Sequence, residues 1–432
     1  MSFKPTIYLL AFLSLCAGCG LTEDDNPSPE DVFVKFYGRG SNEAVDLQRT
    51  STGDVIILAK NQLEDGDADF YLVKVDEAGN EVDSRILDGS DGSEDQPKKI
   101  KAVGNDEFLI VGQMSTETGI HGIWARINVN LEVVSSAESG SEFFNVIDSV
   151  EAVDIIATTE DDGIAKYVII GHSRKIYSSD IIRNGNYQII LTKEDDEDST
   201  YWVKSHGFSG NEFGLALFET PQRGILAVGE ASEGSNRGVY VFETNRYGTN
   251  DQGGDVYNAS SATSGEGASP SADDIPLGVA ETSLGYSIVG STLDQNGRQV
   301  GFHIAVNASG QQLENKTFIL QNDYNLACQA IDVAETAYGE LMVTGSIPVF
   351  APTGDGAGVN KLEQVFVSRL HRLSGRIVGG DQNYGTTVGN DRGNAVLALP
   401  GGDVLVATTI DFGSGTKMVG LLRLNRYGEL KD

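Results

Sequence analysis

An all-β fold is predicted by this sequence: a seven-bladed β-propeller of four-stranded antiparallel blades, with the N-terminal strand closing the last blade. Two observations carry the prediction. A strand-like phrase ending in a small residue recurs as Val55–Ala59, Phe108–Gly112, Tyr167–Gly171, Ile225–Gly229, Tyr286–Gly290, Leu341–Gly345 and Asp403–Ala407, with successive copies 53 to 62 residues apart. Self-similarity at a long, nearly constant period marks a repeat architecture. Almost no stretch of ten or more residues carries a helical period, which excludes leucine-rich and ankyrin repeats.

Within each repeat the elements follow in order. An inner segment opens on a polar or acidic group, as in Asn42-Glu43, Glu94-Asp95, Asn211-Glu212, Asp273-Asp274 and Asn390-Asp391. A carboxylate at one fixed point of a repeat is the usual cap for the amides of a tight loop. A turn signal comes next, such as Thr52-Gly53-Asp54 or Gly401-Gly402-Asp403, then the recurring phrase. The small residue closing the phrase relieves crowding or permits a bulge. A third strand alternates apolar and polar residues, as in 69–80, 122–130, 186–193, 238–248, 301–310, 364–375 and 418–428. Five of these end in a glycine turn, at Gly79, Gly248, Gly310, Gly375 and Gly428. Short outer strands are expected at Val32–Tyr37, Ser84–Leu87, Tyr201–His206 and Lys316–Leu320. The chain thus begins with an orphan outer strand and ends with a third-type strand, Met418–Leu424. Open edges invite aggregation, so these two are expected to pair.

The order of outer strand, Asn-Asp/Glu opening, strand, Asp-Gly turn, strand ending in glycine, and a closing Leu-x-Lys-x-Asp-x-x-Gly-Asn-like run resembles the propeller repeats of secreted proteins and lipoproteins of the Bacteroidota. It shows best from Asn42-Glu43 through Val73-Lys74-Val75-Asp76-Glu77-Ala78-Gly79-Asn80, and it covers residues 32–432. The resemblance implies the fold and an extracytoplasmic location. It carries no shared activity, since propellers host enzymes, glycan binders and scaffolds alike.

The N-terminus predicts an address. Lys4, an apolar run from Ile7 to Leu15, and the small residues Ala17 and Gly18 precede Cys19. That layout is a signal peptide rather than a membrane span, and the run into Cys19 resembles a bacterial lipobox. The expected organisation is a lipoprotein signal peptide over 1–18, lipidation at Cys19, a flexible acidic tether over 19–31, and the propeller over 32–432. The acidic residues after Cys19 resemble a surface-export signal, which places the protein on the outer membrane, lipid-anchored and facing the exterior. Lys and Arg number 31 against 63 Asp and Glu, a net charge of −32. That balance argues against nucleic acid as a partner. With Cys16 in the leader and Cys19 lipidated, Cys328 has no disulfide partner and reads as a buried thiol.

Chemistry is harder to find. The five histidines, 121, 172, 206, 303 and 371, form no HExxH pair, and neither a GxSxG elbow nor a P-loop occurs. Asp65, Asp67 and Asp69 alternate as in a calcium loop, making them candidate Ca2+ ligands. Against this, Phe70 stands where an EF-hand needs glycine, and a solvated acidic hairpin is the alternative. Asp88 to Asp95 is a second acidic stretch of the same kind. Tyr177, Tyr257, Tyr324 and Tyr384 lie in polar or loop-like stretches and are candidate ligand-binding aromatics. Insertions near 172–186, 250–274 and 347–362 are where loops are expected to set specificity.

These features point to a non-enzymatic binding or scaffold subunit of an outer-membrane transport or assembly complex, with no catalytic residues and no required cofactor. The alternative is a glycan-binding accessory lipoprotein for polysaccharide capture. A lyase or hydrolase is the third reading. It requires two carboxylates, or a histidine with a base, gathered at one mouth of the central channel.

Overall fold

A computed structural model describes residues 33–430 apart from short internal stretches, the longer of which are 63–67, 89–93, 136–144, 160–165, 175–186, 259–271, 321–327 and 353–358. Among the described residues every regular element is a strand, and no helix is long and apolar enough to cross a membrane. Cys19, the signal peptide and the tether lie outside the described residues.

Strands of each repeat pair in chain order, antiparallel. The first run is Ser41–Arg49, Val55–Gln62, Ala68–Val75 and Glu81–Leu87. The second is Glu94–Gly104, Glu107–Thr116 and Gly119–Asn128, with Val133–Ser135 and Asn145–Ile147 on the far side of Gly119–Asn128. Four later sheets of four strands open on Glu151–Thr158, Phe213–Glu219, Ile275–Thr282 and Gln329–Glu335. The last sheet combines Arg392–Ala398, Val404–Asp411 and Lys417–Leu424 with Phe33–Tyr37 from the start of the chain. Phe33 stands opposite Arg423 and Tyr37 opposite Val419, so the two ends of the chain zip together.

Hydrogen bonding divides the molecule into six sheets, not the seven expected. A single parallel bridge, Ala68 to Glu94, fuses the first two runs into one sheet of nine strands. The insertion near 347–362 also differs from expectation. It extends two strands of the sixth repeat, Glu340–Pro352 and Val359–His371, into a long hairpin whose pairing reaches Pro352 with Val359.

Burial explains why the strands stand face to face. Period-two alternation gives each sheet two apolar faces, and each face interleaves with a neighbour's. Leu47, Ile57 and Val73 pack against Leu405 and Leu421 across the seam between the first run and the last sheet. Ile56, Leu58 and Phe70 pack against Ile110 and Ile123. Leu109 and Trp124 meet Ile155, Tyr167 and Ile190, and Trp124 donates its indole N–H to Glu194 at 2.9 Å. The same interleaving continues through the later sheets and returns to the last.

The turns have a shared construction. At Asp76, a carboxylate oxygen accepts the N–H groups of Ala78 (3.0 Å) and Asn80 (2.8 Å), while Gly79 takes φ +75°. Asn245, Asn307 and Asn425 repeat this with Gly248, Gly310 and Gly428. In the second repeat Leu131 occupies the glycine's place at φ +62°, a conformation that is costly for a branched side chain.

Candidate active site

A one-residue bulge is built into every inner strand, at the same point. The register slips between Ala44 and Asp46, Pro97 and Lys99, Ala152 and Asp154, Gly214 and Ala216, Pro276 and Gly278, Ala330 and Asp332, and Gly393 and Ala395. Bulges bend a strand and re-aim its side chains. They also explain the small residue ending the recurring phrase: a Cβ on Gly171 would lie 2.5 Å from the Glu151 carbonyl oxygen. In the last repeat the residue opposite Gly393 is Thr408, so the phrase ends one residue later than the sequence suggested.

All these inner strands line an axial cavity of about 410 Å³. At the bulge position itself stand Val45, Lys98, Val153, Leu215, Leu277 and Ile331, with Asn394 completing the set. One position further on, three aspartates reach forward to the next repeat. Asp46 accepts the N–H of Ile100 (3.0 Å), Asp154 that of Leu217 (2.8 Å) and Asp332 that of Val396 (2.8 Å). Lys99 lies 3.4 Å from Asp46, and Lys101 lies 2.6 Å from Asp154 while also donating to the Leu217 carbonyl at 3.0 Å. Burial pushes the Asp332 carboxyl up to about 6, against the pull of Lys99. Burial also raises Asp46, with Lys99 and two backbone amides opposing. Burial works to lower Lys99, but the surrounding aspartates outweigh it and hold the ammonium charged. This layer is electrostatically closed and its oxygens are committed to the backbone.

A second cluster sits where the inner strand of the third repeat begins, two residues before Val153 of the cavity wall. Glu151 and His172 stand directly opposite each other on adjacent strands, with Nε2 of the imidazole 3.3 Å from Oε2. Tyr187 hydrogen-bonds the same carboxylate. Its backbone is clamped by the following repeat: its N–H donates to the Asn211 side chain (2.9 Å) and its carbonyl accepts from Glu212 (3.0 Å). Phe213 closes an aromatic triangle, 5.0 Å from His172 and 5.2 Å from Tyr187 between ring centres. The Arg174 guanidinium lies 4.5 Å over the Tyr187 ring. The hydrogen bond from His172 holds the Glu151 carboxyl below its ordinary range. Burial, then Glu151, raises the Tyr187 phenol, with Arg174 opposing. The phenol is therefore a neutral proton donor beside a carboxylate that accepts. Nδ1 of His172 is buried and has no hydrogen-bond partner. Nearby, Arg237 bridges Glu230 (2.6 Å) and Asp273 (3.0 Å).

Sequence reasoning missed Glu151 and Tyr187 and set His172 aside. A usable signal was present. The residue matching His172 on each central strand is Lys60, Gln113, His172, Glu230, Ser291, Ser346 or Thr409, a polar position whose chemistry changes from repeat to repeat. A purely structural position would be more uniform.

The other candidates are placed as follows. Asp65, Asp67, Tyr177 and Tyr324 lie outside the described residues. Asp69 meets Asp88 and Asp95, with one oxygen from each within 4.8 Å of the others. The two acidic stretches therefore converge, and these three would be the ligands if a divalent cation bound. Tyr257 donates its hydroxyl to the Gly310 carbonyl (2.8 Å) and Tyr384 to that of Gly428 (2.6 Å). Tyr37 does the same to Gly79 (2.7 Å). Each ties an outer strand to the glycine turn of the next repeat. His206 occupies the matching place in the third repeat, bonds the Gly248 backbone, and is pushed down to about 4 by burial. His303 is fully buried beside Ser287, and burial likewise pushes it down to about 4. Cys328 is buried, as expected.

No protein-family model and no curated protein matches the chain. Solved structures that resemble it are β-propellers. Semaphorin 2a of Drosophila is 6% identical, with 91% of this chain and 75% of that one covered and a TM-score of 0.55. A virginiamycin B lyase from Staphylococcus aureus is 11% identical over 91% and 99%, with a TM-score of 0.44. An α-L-arabinofuranosidase of Fusarium graminearum is 11% identical over 79% and 98%, with a TM-score of 0.45. At such identities the likeness shows the fold alone: this chain is a β-propeller. The expectation of a non-enzymatic scaffold of an outer-membrane complex, with glycan capture as its alternative, is corrected. Named lyases and glycosidases are among the structures that this chain resembles. The sequence-based expectation also did not foresee the hydrogen-bonded set of Glu151, His172 and Tyr187.

Proposed function

We propose that this propeller is an acid–base enzyme of the lyase or hydrolase type, cleaving a C–O bond of a substrate at the mouth of the axial cavity. The observation that carries the reading is the linked set of Tyr187 phenol, Glu151 carboxylate and His172 imidazole beside a cavity of about 410 Å³. Tyr187 is the group that meets substrate and delivers a proton to the leaving oxygen, and it regains that proton from the water that adds to carbon in hydrolysis or from the adjacent C–H bond that breaks in elimination. Arg174 over its ring favours the phenolate left behind. Glu151 orients the phenol by accepting its hydrogen bond, and His172 holds that carboxylate in place from the other side. The ring is read as seven blades, the nine-stranded sheet counting as two because one bridge alone joins its halves. Bulged inner strands in each repeat support that count. We place the enzyme on the outer membrane through lipid on Cys19, facing the exterior.

The test is a panel of polysaccharides and oligosaccharides assayed for new reducing ends, with ultraviolet absorbance to separate elimination from hydrolysis. Cleavage lost in Tyr187→Phe and His172→Ala is the expected outcome. An inert wild-type protein, or cleavage that survives Tyr187→Phe, overturns the reading.

A further inference from the structure

Lys98 is out of place by the standard of its own repeat position. Five of its six counterparts, Val45, Val153, Leu215, Leu277 and Ile331, are aliphatic and line the cavity with it, the sixth being Asn394. Such walls lower the local dielectric, which strengthens any charge interaction and penalises an uncompensated charge. Lys98 forms no hydrogen bond or ion pair within reach among the described residues. The nearest carboxylate acting on it, Glu151, is engaged with His172 and Tyr187. Arg392 lines the same cavity from the last repeat and has no hydrogen bond or ion pair among the described residues, with Glu363 and Glu43 acting on it only from a distance. Of the carboxylates that act on it from a distance, Glu43 is bound to Lys417 at 2.5 Å. Partial burial pushes Lys98 toward its neutral form, whereas Arg392 is exposed. Elsewhere in the cavity the cations are matched: Lys60 with Glu94, Lys99 with Asp46 and Lys101 with Asp154.

In a chain of net charge −32, half-buried Lys98 and exposed Arg392, neither with a close ion-pair partner among the described residues, face one cavity. We infer that Lys98 and Arg392 form a seat for an oxyanion of the substrate, a carboxylate or a sulfate ester, inside the axial cavity. An arriving anion supplies the close counter-charge that both cations lack among the described residues, and the aliphatic wall beside them strengthens that attraction. Arg392 offers a planar fork that suits either anion, and Lys98 a point charge. The seat itself stands on the cavity and its unmatched cations. Its description as a substrate subsite rests on the enzymatic reading above.

Isothermal titration of the full chain with glucuronate, a sulfated monosaccharide and glucose tests this. Saturable binding of at least one acid and none of glucose is expected, and the acid that binds identifies the source of the oxyanion. Lys98→Met and Arg392→Gln should each weaken that binding at least tenfold, while Lys98→Arg retains most of it. Unchanged thermal melting of the variants excludes misfolding. Tyr187→Phe should bind the acid as the wild type does while failing to cleave, which separates the seat from the chemistry. Failure of both acids to bind, equal binding of glucose, or undiminished binding in the well-folded Lys98→Met and Arg392→Gln proteins overturns the inference. Cleavage of neutral glycans alone by the wild type overturns it too, and leaves the enzymatic reading standing.

Discussion

At the hub of the ring, Asp46, Asp154 and Asp332 each give an oxygen to a backbone N–H of the next repeat; at the mouth, Glu151 gives its oxygens to His172 and Tyr187. The residue types overlap, yet the surroundings assign them different work. The hub carboxylates are buried, matched by Lys99 and Lys101, and committed to the backbone, so they join repeats. The Glu151 carboxylate instead joins an imidazole and a phenol. Perturbed ionisation alone does not separate these cases, because structural ion pairs shift pKa values as strongly as catalytic ones do. What separates them is whether any hydrogen-bonding capacity faces a ligand.

The largest effect that would sharpen the contrast is on turnover. Tyr187→Phe should cut cleavage by roughly a hundred- to ten-thousand-fold, the range typical of a lost acid–base group. Its urea midpoint should barely move, because Phe213 still packs the ring. Steady-state rates and denaturation of the same preparation check both halves. If stability falls as far as rate, the mouth is structural like the hub.

The converse variant is Asp154→Ala. It removes the partner of Lys101 and the acceptor for Leu217 N–H, stranding both groups near the hub. Breaking a buried pair from one side costs about 3 kcal/mol or more. Urea denaturation should register that loss, while KM for any cleaved substrate stays near wild type. A normal midpoint with altered KM would move Asp154 from scaffold to site.

Titration offers a finer probe. Asp332 is pushed from an ordinary 3.8 to about 6 by burial. Between those values the folded protein holds the proton more tightly than the unfolded chain. The contribution is therefore complete below the lower value and is lost as pH rises through the upper one. The full swing is on the order of 3 kcal/mol. Asp332→Asn keeps an acceptor for Val396 N–H and removes the titration. Its stability relative to wild type should rise with pH across this window, read from denaturation midpoints. Parallel profiles would mean that Asp332 is ionised throughout, like the carboxylate at the mouth.

The hub was more legible in the sequence than the mouth. The recurring phrase from Val55 to Asp403 exposes the strand order, because packing demands apolar residues at a fixed spacing in every repeat. The pairing of Phe33–Tyr37 with Lys417–Leu424 followed from the phase of that repeat. The bridge at Ala68–Glu94 did not, since one hydrogen-bonded contact leaves no pattern. Glu151, His172 and Tyr187 were hidden for a related reason. Glu151 and His172 lie on adjacent strands and Tyr187 just before the third strand of the same sheet, each beside an apolar run that explains it as sheet, and only the pairing register brings them together. Tyr257 and Tyr384 misled in the opposite sense: polar flanks suggested open loops, whereas their phenols reach across to the next repeat.

Those two tyrosines give the smallest and most local comparison. Tyr257 bonds Gly310 and Tyr384 bonds Gly428, and burial pushes both phenols up to about 12. Each therefore stays a neutral donor to a turn carbonyl at any pH the fold survives. Tyr257→Phe removes one hydrogen bond and keeps the ring, so the loss should be about 1 kcal/mol. Tyr384→Phe should cost the same, and the double variant the sum, since their seams lie two repeats apart and share no partner. Binding and cleavage should not change in either. A glycan affinity that falls in Tyr257→Phe without loss of stability would return that phenol to the ligand-binding role its sequence context suggested, and would place a second functional surface on the outer strands rather than at the channel mouth.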